Sequence, residues 1–132
     1  MSRTLVLDAS ASVELLLDTP AGRRLHELVP SDARWWVPEH FYAEVTGALR
    51  RAELRATVPA ARVAEASAAL MSAPLRRAQV RPLLNEAWAK RTNLTIADAL
   101  YVVLAEHLGA DLVTADRKLA GAPILTVKAI CP

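Results

Sequence analysis

The sequence predicts an α/β domain, a three-layer α/β/α sandwich around a short, mostly parallel sheet of five strands. Short apolar runs of strand type, among them Thr4-Leu5-Val6-Leu7, Trp35-Trp36-Val37 and Leu112-Val113-Thr114, alternate with longer segments of helical periodicity. The 132 residues suffice for one domain with a real core, expected to span residues 1–132. A content of 53% hydrophobic and 23% charged residues excludes disorder. No apolar stretch approaches the roughly 18–20 residues of a membrane helix. The segment before the first strand is shorter than a signal peptide, and Cys131, the single cysteine, permits no internal disulfide. A cytoplasmic protein is the expectation.

Arg3 to Asp8 reads as a buried strand. Ser10 is the expected N-cap of a helix through Val13, Leu15, Leu16 and Leu17, and Thr19 with Pro20 restarts a second helix carrying Leu25, Leu28 and Val29. Trp35 to Val37 is the second strand. Pro38 then opens a helix to about Arg55 with Phe41, Val45, Ala48, Leu49 and Ala52 on one face, which places Glu39 in its first turn. Pro59 opens an alanine-rich helix that fades near Pro74. Ala78 to Arg81 is the expected third strand, and Pro82 starts a short helix with Leu83, Leu84, Ala87 and Trp88. Thr95 to His107 is helical and closed by Gly109. Ala110 to Thr114 and Pro123 to Val127 supply the last two strands.

Four carboxylates lie far apart in sequence but at comparable places. Asp8 ends the first strand, Glu44 interrupts the edge of an apolar helical stripe, Asp98 opens the most apolar helix, and Asp116 follows a strand. Each has an ordinary alternative: Asp8 as a turn residue, Asp98 as the fourth member of a capping box, Asp116 as a loop cap. Glu44 is the least easily explained, because a carboxylate beside a core-facing stripe needs a partner. As a group they are harder to dismiss. The carboxyl ends of parallel strands are where open α/β sheets build their sites. Two unit charges about 5 Å apart repel by roughly 3 kcal/mol at an effective dielectric near 20. Hard oxygen donors select Mg²⁺ or Mn²⁺, and His26, His40 and His107 are too scattered for a zinc site. Ser10 and Thr114 are placed to orient ligands or water.

The net charge is +2, and with the four acids set aside the remaining surface is distinctly basic. Arg50 and Arg51, then Arg76, Arg77 and Arg81, form groups that suit a polyanion, although solvated helix faces would look the same.

At this point the residues resemble a known family. Leu5-Val6-Leu7-Asp8-Ala9-Ser10 is similar to the opening of PIN-domain ribonucleases, specifically of VapC-type toxins of type II toxin–antitoxin systems. Val37-Pro38 with Ala43-Glu44-Val45 and Ala48-Leu49-Arg50-Arg51, then Thr95-Ile96-Ala97-Asp98-Ala99-Leu100-Tyr101, then Leu112-Val113-Thr114-Ala115-Asp116-Arg117-Lys118-Leu119, resemble its later motifs in order and spacing. The resemblance implies Asp8, Glu44, Asp98 and Asp116 around Mg²⁺ or Mn²⁺ and endonucleolytic cleavage of RNA. It further implies a homodimer, and a VapB-like antitoxin whose tail occupies the active-site groove in a larger assembly. Gly47 and Lys118 depart from the family pattern: many members carry a polar Asn at the first position, and some have another acid near the second.

The expected chemistry is phosphodiester hydrolysis by metal-activated water, with Asp8, Asp98 and Asp116 as ligands and Glu44 as ligand or base. Two readings compete. A receiver-type Mg²⁺-binding phosphoacceptor module would use a late lysine such as Lys128, yet the chain lacks an acidic pair after the first strand. A non-catalytic PIN-like interaction protein would have the same fold without cleavage.

Overall fold

The computed structural model describes residues 3–132. Five strands, β1 (Thr4–Leu7), β2 (Arg34–Pro38), β3 (Arg76–Ala78), β4 (Asp111–Val113) and β5 (Ala129–Ile130), form one sheet in the order β3-β2-β1-β4-β5. Every pairing is parallel, so the sheet has no antiparallel edge. Between the strands lie α1 (Ala9–Leu16), α2 (Pro20–Leu28), α3 (Phe41–Leu54), α4 (Ala60–Ser72), α5 (Leu84–Ala89), α6 (Ile96–Leu108) and α7 (Arg117–Ala120). The chain winds outward from β1 to β3, then returns to β4 on the other side of β1. Right-handed crossovers therefore put α1–α4 on one face and α5–α6 on the other. The turning point lies between β1 and β4, where open sheets leave a crevice beyond the strand ends.

Helix α6 is the centre of the core. Ala99 through Ala105 are all buried, which an amphipathic helix could not tolerate. It rests on β1, β2 and β4 and is covered in turn by α5. Thr95 caps its start, its Oγ1 accepting the Asp98 N–H at 3.1 Å, and Gly109 ends it in the left-handed conformation at φ 58°. Among the described residues no helix is long and apolar enough to cross a membrane.

Several expectations are corrected. Asp8, not Ser10, caps α1, its Oδ1 accepting the Ala11 N–H at 2.9 Å. Pro38 ends β2 instead of opening α3. The β1 side of β2 is paired only as far as Trp36, so the missing proline N–H breaks no ladder bond there. Glu39 consequently precedes α3, its N–H donating to Ala78 O at 2.9 Å, and Glu44 occupies the first turn. The third strand is Arg76–Ala78 rather than Ala78–Arg81. It is an edge strand with exposed arginines, and Arg81–Leu83 forms a 3-10 turn around Pro82. The fifth strand is Ala129–Ile130 rather than Pro123–Val127. Residues 122–125 close a turn through Leu125 N–H to Ala122 O, and only later does the chain reach the edge of β4.

Gly22 shows how tightly the α1–α2 corner is drawn. A Cβ there would lie 2.0 Å from the backbone oxygen of Glu14, whereas at Gly47 in α3 it would meet only the Arg51 guanidinium at 3.6 Å. Gly22→Ala should therefore cost about 1–3 kcal/mol by urea denaturation, while Gly47→Ala should gain up to about 1 kcal/mol from helix propensity. Equal effects at the two positions would contradict the close backbone contact.

Candidate active site

Asp8 leaves β1 at the winding switch and is 3% exposed. Its N–H donates to Val113 O of β4 at 3.0 Å, which fixes the crevice floor. Its Oδ1 also accepts the Ser10 hydroxyl at 2.7 Å. Ser10 Oγ in turn accepts the Ala115 N–H at 3.0 Å and lies 3.3 Å from Thr114 Oγ1, which accepts the Asp116 N–H at 3.0 Å. The two loops following β1 and β4 are thus tied through the hydroxyls of Ser10 and Thr114. Asp116 caps α7, Oδ1 accepting the N–H groups of Lys118 and Leu119 at 2.9 and 3.2 Å. Its loop role is real and coexists with a place in the cleft.

The cleft encloses about 410 Å³, and Asp8, Glu44, Asp98 and Asp116 all line it, with Ser10, Arg51 and Tyr101. Glu44 reaches it from the first turn of α3, half-exposed, with Oε1 accepting the Tyr101 hydroxyl at 2.6 Å and lying 3.5 Å from His40 Nε2. A second cavity shares Asp98 and Asp116 with the first and continues past them to Lys118. Of the grouped arginines, Arg51 alone borders the cleft. Arg50 is exposed on α3, Arg76 and Arg77 on the edge strand, and Arg81 on the 3-10 turn. Lys128, needed in the cleft by a receiver-type module, is exposed beside β5 and does not line it.

Sequence reading missed Tyr101, His40 and Glu14 as neighbours of the acids. Tyr101 carried a signal, since it lies three residues after Asp98 on the same helical face. His40 carried none: its Nε2 lies 3.2 Å from Ala97 O across the rim, a contact with no sequence pattern. Glu14 lines the cleft one turn beyond Ser10, its carboxylate bonded by the Thr19 hydroxyl.

Burial dominates the electrostatics. It pushes Asp8 up to about 6 against the pull of hydrogen bonds from Thr114, Ala11 and Ser10, and the charge of Asp98 adds to the rise. Asp98 is raised first by burial, then by the charges of Asp116 and Glu44. The Tyr101 hydroxyl is raised by burial and by Glu44, so it remains a donor. The donor set is all hard oxygen, which suits Mg²⁺ or Mn²⁺, and the acids repel one another as a cation would relieve. Among the described residues, no three His, Cys, Asp or Glu side chains are grouped closely enough to hold an ion as they stand.

A carboxyl raised in the folded state favours the fold while it is neutral. In the absence of metal, Asp8 exacts no penalty below its ordinary value near 3.8 and the full penalty above about 6, of order 2–3 kcal/mol. Asp8→Asn keeps the Oδ1 acceptor. In chelator it should be about 1–3 kcal/mol more stable than the parent at pH 8 and indistinguishable near pH 4, read by urea denaturation. Parallel stability–pH curves for the two proteins would refute the burial penalty.

Residues 5–125 match the family model described as PIN domain. The chain is 40% identical over 116 residues to Ribonuclease VapC12 of Mycobacterium tuberculosis, covering 88% of this chain and 89% of that protein. The fold is similar to the crystal structure of M. tuberculosis VapC20, titled a Sarcin-Ricin loop cleaving toxin, with TM-score 0.66, 17% identity, and coverage of 94% of this chain and 98% of that one. It is also similar to VapBC2 from Rickettsia felis bound to a promoter DNA fragment, with TM-score 0.61, 14% identity, and coverage of 97% and 98%. With its motifs in register and its five parallel strands in the observed order, the chain belongs to the PIN domain family, and within it to the VapC group.

Proposed function

We propose that this protein is a metal-dependent endoribonuclease, the toxin of a toxin–antitoxin pair, and that it hydrolyses RNA phosphodiester bonds in the four-acid cleft. The observation that carries this reading is the convergence of Asp8, Glu44, Asp98 and Asp116 on one cleft at the winding switch. Asp8, Asp98 and Asp116 would hold Mg²⁺ or Mn²⁺, with side-chain adjustment at the less buried Asp98 and Asp116 completing the set. The chemistry such an ion supplies is a more acidic water for attack on phosphorus and relief of charge on the departing oxygen. Glu44 either contributes a further oxygen or accepts the proton of the attacking water. Ser10 holds Asp8 by its hydroxyl, and with Thr114 it keeps the β1 and β4 loops in register.

The RNA backbone would run from Arg51 across the acids to Lys118, since the two cavities share Asp98 and Asp116 and one is lined by Arg51, the other by Lys118. In this reading Lys118 serves phosphate binding. The partner is a VapB-like antitoxin lying in the same cleft. The similarity to VapBC2 of R. felis supports an antitoxin partner. A cytoplasmic homodimer within a larger assembly completes the reading.

Partner-free protein should cleave RNA with Mg²⁺, and Asp98→Asn should lose at least ~100-fold of that rate, more than loss of a mere supporting group. Mg²⁺ should also raise the Tm of the parent but not of Asp98→Asn. Cleavage by the variant at the parental rate would overturn the site. For the proposed track, Arg51→Ala and Lys118→Ala should each weaken RNA binding and flatten its log–log salt slope by roughly 0.7–1, while Arg76→Ala leaves the slope unchanged. A slope insensitive to Arg51 and Lys118 would remove them from the RNA path.

A further inference from the structure

Tyr101 stands in the second turn of α6, 1% exposed, between the apolar body of that helix and the acid cleft. Its ring packs on His40, centroids 4.8 Å apart. A phenylalanine would fill the same space. The hydroxyl is therefore the part that packing does not explain, and its partner is Glu44 Oε1 at 2.6 Å, the distance of a charge-assisted bond. Glu44 needs such a partner. It projects from the first turn of α3 on a long, rotamer-rich side chain, half in solvent, and ordering it has an entropic cost. His40 Nε2 stands 3.5 Å from the same oxygen while also 3.2 Å from Ala97 O. Both contacts fall on Oε1, and no side chain among the described residues bonds Oε2.

We infer that Tyr101 is a positioning residue: its hydroxyl, carried on the most deeply buried helix, holds Glu44 Oε1 and so fixes the carboxylate relative to the other three acids. The inference deepens the nuclease reading and rests on it for its kinetic consequence, but the hydrogen bond itself does not. It divides the labour at the cleft. Asp8 is held by its own loop through Ser10 and Ala11, Asp116 by the turn it caps, and Glu44 by a different element altogether. The packing of α6 against the sheet thereby sets the reach of a side chain on α3.

The test uses the partner-free full chain with Tyr101→Phe, Glu44→Gln and the double variant. Tyr101→Phe should keep a cooperative thermal transition and a KM for RNA within about twofold of the parent, while kcat falls roughly tenfold, the share of one hydrogen bond to a charged group. In the Glu44→Gln background the same substitution should change kcat less than twofold, because the hydroxyl acts through Glu44. A parental kcat for Tyr101→Phe, or an equal tenfold loss in both backgrounds, would overturn the inference. A second readout needs neither RNA nor metal: the parent should show a slowly exchanging hydroxyl proton by NMR that is lost in Tyr101→Phe and displaced in Glu44→Gln. A hydroxyl resonance indifferent to Glu44→Gln overturns it too. If the parent cuts no RNA yet this resonance behaves as expected, the nuclease reading fails and the Tyr101–Glu44 pairing stands.

Discussion

The buried carboxylate of Asp8 is the constraint on which the rest of the site depends. It lies where the sheet reverses its winding, and its backbone N–H is committed to β4 while its Oδ1 caps α1. One residue therefore joins two central strands to the first helix. The same oxygen accepts the Ser10 hydroxyl, and through Ser10 and Thr114 the loop after β1 is locked to the loop after β4. An isosteric neutral group would meet these structural demands. None of them calls for a charge there, and burial opposes one.

This conflict extends to the other acids in graded form. Asp98 is raised by burial and by Asp116 and Glu44, while Asp116 is exposed and its Oδ1 is engaged by two backbone donors. The most buried acid, Asp8, sits on the floor and the more exposed ones stand at the rim. Acids that repel one another in this way are the donors a cation would relieve. Two cations border the acids as well, Arg51 in the first cavity and Lys118 in the second.

Rigidity comes from α6. Seven consecutive buried residues make it nearly insensitive to solvent, and its packing across three strands gives Tyr101 a fixed origin. Glu44, on a different helix, is bonded to the Tyr101 hydroxyl. The α1–α2 corner is held in a different way, by direct backbone approach at Gly22, where no side chain can enter.

The sequence by itself determined the fold class and most elements and pointed to the four acids, because these depend on local signals: apolar period, Pro and Thr at helix starts, Gly109 at a helix end, and carboxylates just past strand ends or in the first turns of helices. Thr19-Pro20 and Thr95 acted as local chemistry demands. Tertiary structure decided what has no local signature. The edge strand Arg76–Ala78 carries exposed arginines and lacks an apolar pattern, and β5 begins only where the chain reaches β4. Asp8 displaced Ser10 as the cap because a strand end and a helix start meet at a single residue, leaving the hydroxyl free to bridge two loops. Arg51 was separated from Arg50, Arg76, Arg77 and Arg81 by orientation alone, since charge is read from sequence but direction is not. The bond from Tyr101 to Glu44, 57 residues apart, exists only because α3 and α6 meet at the rim of a folded sheet.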